Sequence, residues 1–432
     1  MWFAVLWLIL GFVLIISKHI RRSWITGQTA FTGIWFVSLT ALWANPPSWD
    51  YVSREAVLII GSAHFIFFLG SVVTSIFFRK RGRLLQKEVA PTRKTGRVLL
   101  PFFWMFVLVG VIGSWLTVSN TGAFIAYQEN TLNLTRSLLI TGGIQIPIYQ
   151  RLMSNFLYPA SLLGAIYFLF SKRSWYSWSY LFIPLVGTVM YSFSFGGRGA
   201  IMIGGSLIFW ILVFSRAKVL RRRVNTLERW MIIFLGFVVF GYFAMIVATR
   251  TDVNPSDIAQ SIYEYLIGPI PAFSEWLTFQ SLSLGNIDLS NISLIRELLR
   301  LWGIDKARDI GLNIVYIPFV FNVFTHLAEH VRDFGIVGAL IVSGILGILT
   351  AILESKTLSV SVIGIRATIY AYLSISLFAD LSYLAVGWWL TLLTIAFIVP
   401  LWAEVSLPTL NKSIRDDWGK MTLVDTKVKV KY

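Results

Sequence analysis

Long apolar segments follow one another along almost the whole chain, separated by polar stretches. A membrane-spanning helix needs about 20 mostly apolar residues, and eleven segments of this 432-residue sequence meet that requirement. They lie near residues 2–17, 24–43, 56–78, 98–118, 152–171, 175–195, 199–215, 230–249, 334–353, 358–378 and 384–403. The pattern predicts an all-α integral membrane protein, a single polytopic domain over residues 1–432 with about eleven transmembrane helices.

Two of the segments between the predicted spans are long, residues 119–151 and residues 250–333. The second is too long for a plain connection, and it contains two helical patterns of its own. One pattern begins at Pro255 and stops at Gly268, and the other follows Ser290 and continues to Trp302. Both predicted helices are amphipathic, so we expect them to lie on the outer leaflet or to cap a cavity between spans. The alternative is that the segment only decorates the surface.

The charges sort the polar segments into two sets. Charged residues make up 13% of the chain, against about 25% in soluble proteins, and the net charge is +16. Alternate segments together carry +19, the other set carries −4, and Arg366 lies alone inside a predicted span. The positive-inside rule places the basic set, with the tail 405–432, in the cytoplasm, and the N-terminus, 119–151 and 250–333 outside. The basic excess is therefore a topology signal and does not indicate a nucleic-acid partner.

Arg366 needs an environment inside the membrane. A charged side chain at the centre of a span costs about 2.5–3.5 kcal/mol on insertion scales, so we expect it to face a polar interior. Asp380 is roughly 21 Å further along a continuous helix, which is too far for an ion pair within that helix.

Among the arginines on the predicted outer side, which run against the topological bias, three are candidates for binding a ligand. Gly197 and Gly199 flank Arg198 in a stretch that interrupts the apolar run 175–215, so a tight turn is expected there. Glycine lets the backbone approach a ligand, and a guanidinium group matches phosphate oxygens in a bidentate fashion. Arg250 ends the predicted eighth span and Arg332 precedes the ninth. Alternatively, these arginines anchor helix ends in the headgroups, or Arg332 forms a local ion pair with its neighbour Asp333.

The sequence from His326 to His330 reads H-x-x-E-H, with the glutamate at Glu329. This is the inverted zinc-protease pattern, but a catalytic zinc needs a third protein ligand, and the later glutamates are predicted to be cytoplasmic. We therefore favour His326, Glu329, His330 or Asp333 as a general base near the outer membrane surface. A zinc protease and a plain interfacial helix end are the alternatives.

Other catalytic signatures are absent from the sequence. The chain has no cysteine, no Asp-x-Asp, no P-loop and no G-x-S-x-G motif, which excludes thiol chemistry and cysteine-ligated metals. Phosphate chemistry in this chain would rest on arginines, and neither a metal nor another cofactor is expected.

With these residues in place, the chain resembles the Wzy-type polymerases of O-antigen and capsule assembly. The resemblance is carried by Ser194–Gly199, by His326–Gly338, and by the overall layout of spans, late outer loop and basic inner loops. It implies a GT-C-like polymerase or ligase architecture. Arg198 matches the family's arginine at an outer turn and Arg250 resembles a second one, which implies that both hold the donor pyrophosphate. In the related O-antigen ligases a histidine precedes Gly-x-x-Gly, and His326 is similar to it.

The resemblance implies a metal-independent glycosyltransferase in the bacterial cytoplasmic (inner) membrane. The growing glycan on undecaprenyl pyrophosphate is the implied donor and a lipid-linked repeat unit is the acceptor, both held in the lipid bilayer. A chain-length regulator and a flippase are further implied partners. Two other functions stay open, an O-antigen ligase with the same donor and a transporter of lipid-linked sugars. A transporter would need several ionisable residues along its spans, which the sequence does not offer.

Overall fold

A computed structural model describes residues 2–44, 52–81, 93–128, 145–170, 175–194, 199–214, 255–279, 291–304, 315–317, 319–321, 325–355 and 359–400. The helices are α1 (Trp2–Arg21), α2 (Gly27–Ala44), α3 (Arg54–Arg81), α4 (Arg93–Thr121), α5 (Ala123–Gln128), α6 (Ile148–Asn155), α7 (Leu157–Phe170), α8 (Ser179–Ser194), α9 (Gly199–Phe214), α10 (Pro255–Ile267), α11 (Pro269–Phe279), α12 (Ser293–Leu301), α13 (His326–Ser355), α14 (Val360–Ile375), α15 (Leu381–Leu384) and α16 (Val386–Leu393). A 3₁₀ turn, Trp175–Trp178, precedes α8, and a π-helical turn, Thr394–Ile398, continues α16.

The described residues have the composition and length expected of a membrane protein. Five helical stretches are long and apolar enough to cross a bilayer, namely Trp2–Arg21, Arg54–Phe78, Leu99–Thr121, Ile148–Leu169 and His326–Ser355. Three apolar helices are shorter, Gly199–Phe214, Val360–Ile375 and Val386–Ile398. Together with α2 and α8, these stretches coincide with ten of the apolar segments of the sequence. The fold class is therefore that of an α-helical membrane protein, while the count of eleven spans stays a prediction because 230–249 lies outside the described residues.

One short β-hairpin departs from the predicted all-α fold. Strands β1 (Val315–Ile317) and β2 (Phe319–Phe321) pair antiparallel, with Val315 opposite Phe321. Both strands consist of β-branched and aromatic residues, which favour a pleated conformation over a helix. The hairpin falls within the predicted outer segment 250–333.

Helices α3 and α13 pack closely together at glycine residues. A Cβ atom at Gly347 would lie 2.1 Å from the Phe67 carbonyl oxygen, and one at Gly70 would lie 2.7 Å from the Gly344 carbonyl oxygen. Only glycine allows backbones to come this close, and such small residues are typical of helix contacts inside membranes. The α3–α13 pair therefore forms a close-packed unit.

Part of the predicted outer segment is buried in a hydrophobic core. Ile270, Phe273 and Trp276 of α11 are buried together with residues of α1, α2, α3 and the start of α13. The segment is also held by hydrogen bonds, from Ser38 Oγ to the Leu266 carbonyl at 2.8 Å and from the Ser53 amide to Ser274 Oγ at 2.7 Å. Because α11 belongs to a core, the segment is more than a surface decoration.

An ionic cluster ties helices together at the opposite end of α13. Glu354 forms an ion pair with Arg21, accepts a hydrogen bond from the Gly27 amide at 2.7 Å, and accepts another from the Tyr370 hydroxyl. The cluster connects α1, α2, α13 and α14. Arg366 lies nearby, with its guanidinium 4.8 Å from the centre of the Phe214 ring and 5.7 Å from that of Tyr370. Aromatic faces therefore help to stabilise its charge, and its side chain also forms a hydrogen bond with Tyr370.

Candidate functional site

A kink in α13 creates the platform of the site. Gly335 has φ 69° and ψ 177°, a conformation that is essentially restricted to glycine. One turn later, a Cβ atom at Gly338 would lie 2.4 Å from the Phe334 Cβ. These two glycines set the segment 326–334 at an angle to the remainder of α13. The segment carries His326, Glu329, His330, Arg332 and Asp333, so the structure brings five of the predicted site residues together.

His330 forms a buried pair with Asp380. The His330 Nε2 and Asp380 Oδ2 atoms are 2.7 Å apart, and both side chains are almost completely shielded from solvent. Asp380 is held in turn by the Tyr372 hydroxyl at 3.0 Å and by the Ser382 amide and hydroxyl at 2.8 and 2.5 Å. From the sequence, the only partner considered for Asp380 was Arg366. In the structure, its partner is a histidine on another helix.

The surroundings of Asp380, in the turn between α14 and α15, keep it ionised. Burial raises the pKa of Asp380, but the neighbouring His330 charge and the hydrogen bonds from His330 and Ser382 outweigh burial and lower the pKa to about 2. An ionised Asp380 only accepts hydrogen bonds, so His330 Nε2 is the donor. A neutral His330 then carries its lone pair on Nδ1. This is the arrangement in which a carboxylate orients a histidine as a general base.

His326 has a different environment, although it lies one helical turn from His330. Its Nδ1 donates a hydrogen bond to the Ser376 carbonyl at 3.1 Å, and its ring packs edge-on against Phe31 and Trp35. The side chain is fully buried, and its Nε2 has no hydrogen-bond partner among the described residues. Of these two histidines, only His330 is therefore oriented by a carboxylate.

A third histidine, His64 of α3, lies against the same two aromatic rings. Its Nδ1 is 3.0 Å from Thr32 Oγ1, which accepts a hydrogen bond from Gln28 Nε2 at 2.5 Å. Sequence reasoning did not consider His64. His64 could have been identified from the sequence, because it is an ionisable residue within the apolar segment 56–78 and such residues are by default candidate functional residues.

Arg332 is held by two carboxylates. Its Nε donates to Asp333 Oδ1 at 2.6 Å and its Nη2 donates to Glu329 Oε2 at 3.1 Å. The side chains of all three residues are largely buried. The local ion pair between Arg332 and Asp333, one of the two sequence interpretations, is therefore present. Because Glu329 and Asp333 are both paired with Arg332, neither carboxylate is a good candidate for the general base. The charge of Arg332 is likewise already engaged.

Polar residues just before α12 and at its start, which the sequence did not single out, contact Asp333 and the segment beside Asp380. Asn291 Nδ2 lies 3.5 Å from Asp333 Oδ1, and Arg296 donates to the Asn291 carbonyl at 3.1 Å. Ser293 Oγ donates to the Ser382 carbonyl at 2.8 Å, beside Asp380. Asn291, just before α12, and Ser293, at its start, thus contact the two parts of the site.

The predicted pyrophosphate-binding residues are described only in part. Helix α8 ends at Ser194 and α9 begins at Gly199, so the apolar run is divided into two helices as expected. A Cβ atom at Gly199 would meet nothing within 4 Å, so no close approach by the described part of the backbone requires this glycine. Gly197, Arg198 and Arg250 lie outside the described residues.

The two histidines of the H-x-x-E-H pattern have separate partners, the Ser376 carbonyl and Asp380. In the described parts of the chain, no group of three or more histidine, aspartate or glutamate side chains is arranged to hold a metal ion. No family model, curated protein or solved structure matches this chain.

Proposed function

We propose that this chain is a polysaccharide polymerase of the outer face of the bacterial cytoplasmic membrane. It would transfer a growing glycan from undecaprenyl pyrophosphate to a lipid-linked repeat unit. The observation that supports this proposal is the buried His330–Asp380 pair, which lies at the end of α13 opposite the Arg21–Glu354 pair. By the positive-inside rule the Arg21 end is cytoplasmic, so the histidine would act on the outer side.

In the proposed reaction, a hydroxyl oxygen of the acceptor sugar attacks the anomeric carbon of the donor glycan. The hydroxyl proton passes to Nδ1 of His330, and Asp380 stabilises the resulting imidazolium. The bond between the anomeric carbon and the pyrophosphate oxygen breaks, and its electron pair leaves with the lipid pyrophosphate. Arg198 and Arg250 stabilise the charge that develops on the leaving group. A direct displacement of this kind inverts the anomeric centre.

The test is a reaction of the purified protein with a defined lipid-linked repeat unit, with the products resolved by length. The wild-type chain should give a ladder of lipid-linked products, with and without a chelator. His330→Gln should give no ladder, because glutamine cannot accept the hydroxyl proton. His19→Gln is the matched control, since His19 is exposed in the last turn of α1. A normal ladder from His330→Gln, or activity lost with the chelator, would contradict the proposal.

An O-antigen ligase is the second candidate. It is favoured by the resemblance of His326 and the later pair Gly335 and Gly338 to the histidine that precedes Gly-x-x-Gly in O-antigen ligases. A ligase would use the same base and the same donor but transfer the glycan once, to a lipid A-core acceptor. The same assay separates the two functions, because a ligase gives a single transfer product and needs that acceptor.

A further inference from the structure

Helix α12 has its polar side turned inward and its apolar side turned outward. Arg296 and Glu297 are only 7% and 8% exposed, whereas Leu298, Leu301 and Trp302 are 44%, 54% and 76% exposed. A surface helix of a water-soluble protein has the reverse orientation, with its apolar side against the core. The orientation of α12 is stable only if the medium outside it is itself apolar.

The inward orientation of the polar side is fixed by specific contacts. Ser293 and Asn291 are hydrogen-bonded to the Ser382 carbonyl and to Asp333. Glu297 is paired within α12 with Arg300 at 2.9 Å. Rotating the helix to bury its leucines would break the two hydrogen bonds to the Ser382 carbonyl and to Asp333. The apolar residues are therefore outside as a consequence of what the polar residues bind.

The surroundings of α12 indicate which apolar medium this is. Helix α12 packs against α6 and α16. Helix α6 belongs to a stretch long and apolar enough to cross a membrane, and α16 belongs to a shorter apolar stretch. Tyr149 of α6 and Phe397 beyond α16 are likewise exposed, at 55% and 61%, so both neighbouring stretches also carry exposed aromatic side chains. A helix of nine residues is about 14 Å long, which is half of what a span requires.

We propose that α12 lies in the plane of the outer leaflet, with lipid acyl chains covering Leu298, Leu301 and Trp302. The helix is then the wall between the bilayer and the His330–Asp380 site. Trp302 at its C-terminal end suits the boundary between acyl chains and headgroups. Resting on the proposed function, this position lets the lipid part of a substrate stay in the bilayer against α12 while its sugar reaches the site.

The absence of cysteine from the sequence allows this proposal to be tested with single-cysteine variants. Leu298→Cys and Leu301→Cys would carry a nitroxide spin label in the full-length protein, reconstituted in lipid nanodiscs. Collision rates are measured with oxygen, which concentrates in lipid, and with a water-soluble nickel chelate. Ile341→Cys, an exposed position within the long apolar helix α13, is the lipid reference, and Gln260→Cys, an exposed position of α10, is the water reference.

Both α12 labels should match the Ile341 label, with oxygen collisions exceeding those of the nickel chelate. Labels that behave like the Gln260 label would overturn the proposal, because the helix would then face water. Low collision rates with both reagents would also overturn it, because another protein or a second copy of this chain would then cover the helix. Trp302→Cys provides a further position if either leucine variant elutes as an aggregate. None of these measurements requires glycan transfer, so failure of the proposed function would not affect them.

Discussion

Replacing Gly335 by alanine tests whether the kink in α13 is required by the fold and by the site. At φ 69° and ψ 177°, a residue other than glycine is strained by about 1–3 kcal/mol. Alanine at an ordinary helical glycine has the opposite effect and stabilises by roughly 0.5–1 kcal/mol. Gly33 of α2 is such a position, since a Cβ atom there would make only an ordinary contact of 3.7 Å with Thr29. The two alanine variants should therefore differ by about 1.5–4 kcal/mol.

The difference is measured by heating each variant in detergent and using size-exclusion chromatography to quantify the protein that stays folded at each temperature. At about 2–4 °C for each kcal/mol, Gly335→Ala should lose its folded peak several degrees below Gly33→Ala. If α13 instead straightens to relieve the strain, His330 moves away from Asp380, and a displacement of about 1 Å is enough to reduce catalysis about 100-fold. Equal midpoints together with equal product ladders from the two variants would refute the inferred role of the kink.

Three further outcomes are expected. Asp380→Asn should reduce glycan transfer at least 100-fold, because the charge that orients His330 is lost. Because the pKa of Asp380 is low, its ionised carboxylate stabilises the fold above about pH 4, and this stabilisation is lost as the pH falls towards 2. The thermal midpoint of the wild-type chain should therefore decrease over this pH range, and the Asp380→Asn variant should lack this part of the decrease. Glu354→Gln breaks a largely buried ion pair and should lower the thermal midpoint, by an amount that corresponds to about 3–5 kcal/mol, whereas Glu55→Gln, at an exposed position, should not. Arg198→Ala should abolish the ladder without a change in midpoint, whereas Arg332→Ala should lower the midpoint; a stable Arg332→Ala protein would contradict the structural role of that arginine.

The positions of the helices could be predicted from the sequence because hydropathy is a local property. Ten of the apolar segments became helices, and the helical patterns after Pro255 and Ser290 became α10 and α12. The hairpin from Val315 to Phe321 was missed, because two strands of three residues give too short a pattern to recognise. Spacing also placed the candidate residues from His326 to Asp333 on one helix.

The partners of these residues could not be predicted, since they come from distant parts of the chain. Asp380 follows His330 by 50 residues and meets it only because α14 packs beside α13. Glu354 and Arg21 are separated by 333 residues. Likewise, amphipathicity predicted helix α12 but not its orientation, because the pattern does not reveal whether the apolar side faces the protein or the lipid.

The partners change the interpretation of the outer arginines. From the sequence, Arg198, Arg250 and Arg332 were all candidate cations for the donor pyrophosphate on the outer side. In the structure, Arg332 is paired with both Glu329 and Asp333, so its charge is already engaged and is not available to a pyrophosphate. The proposed donor site must therefore depend on Arg198 and Arg250. Arg332 instead holds two carboxylates beside the histidine, where without it they would repel the leaving group.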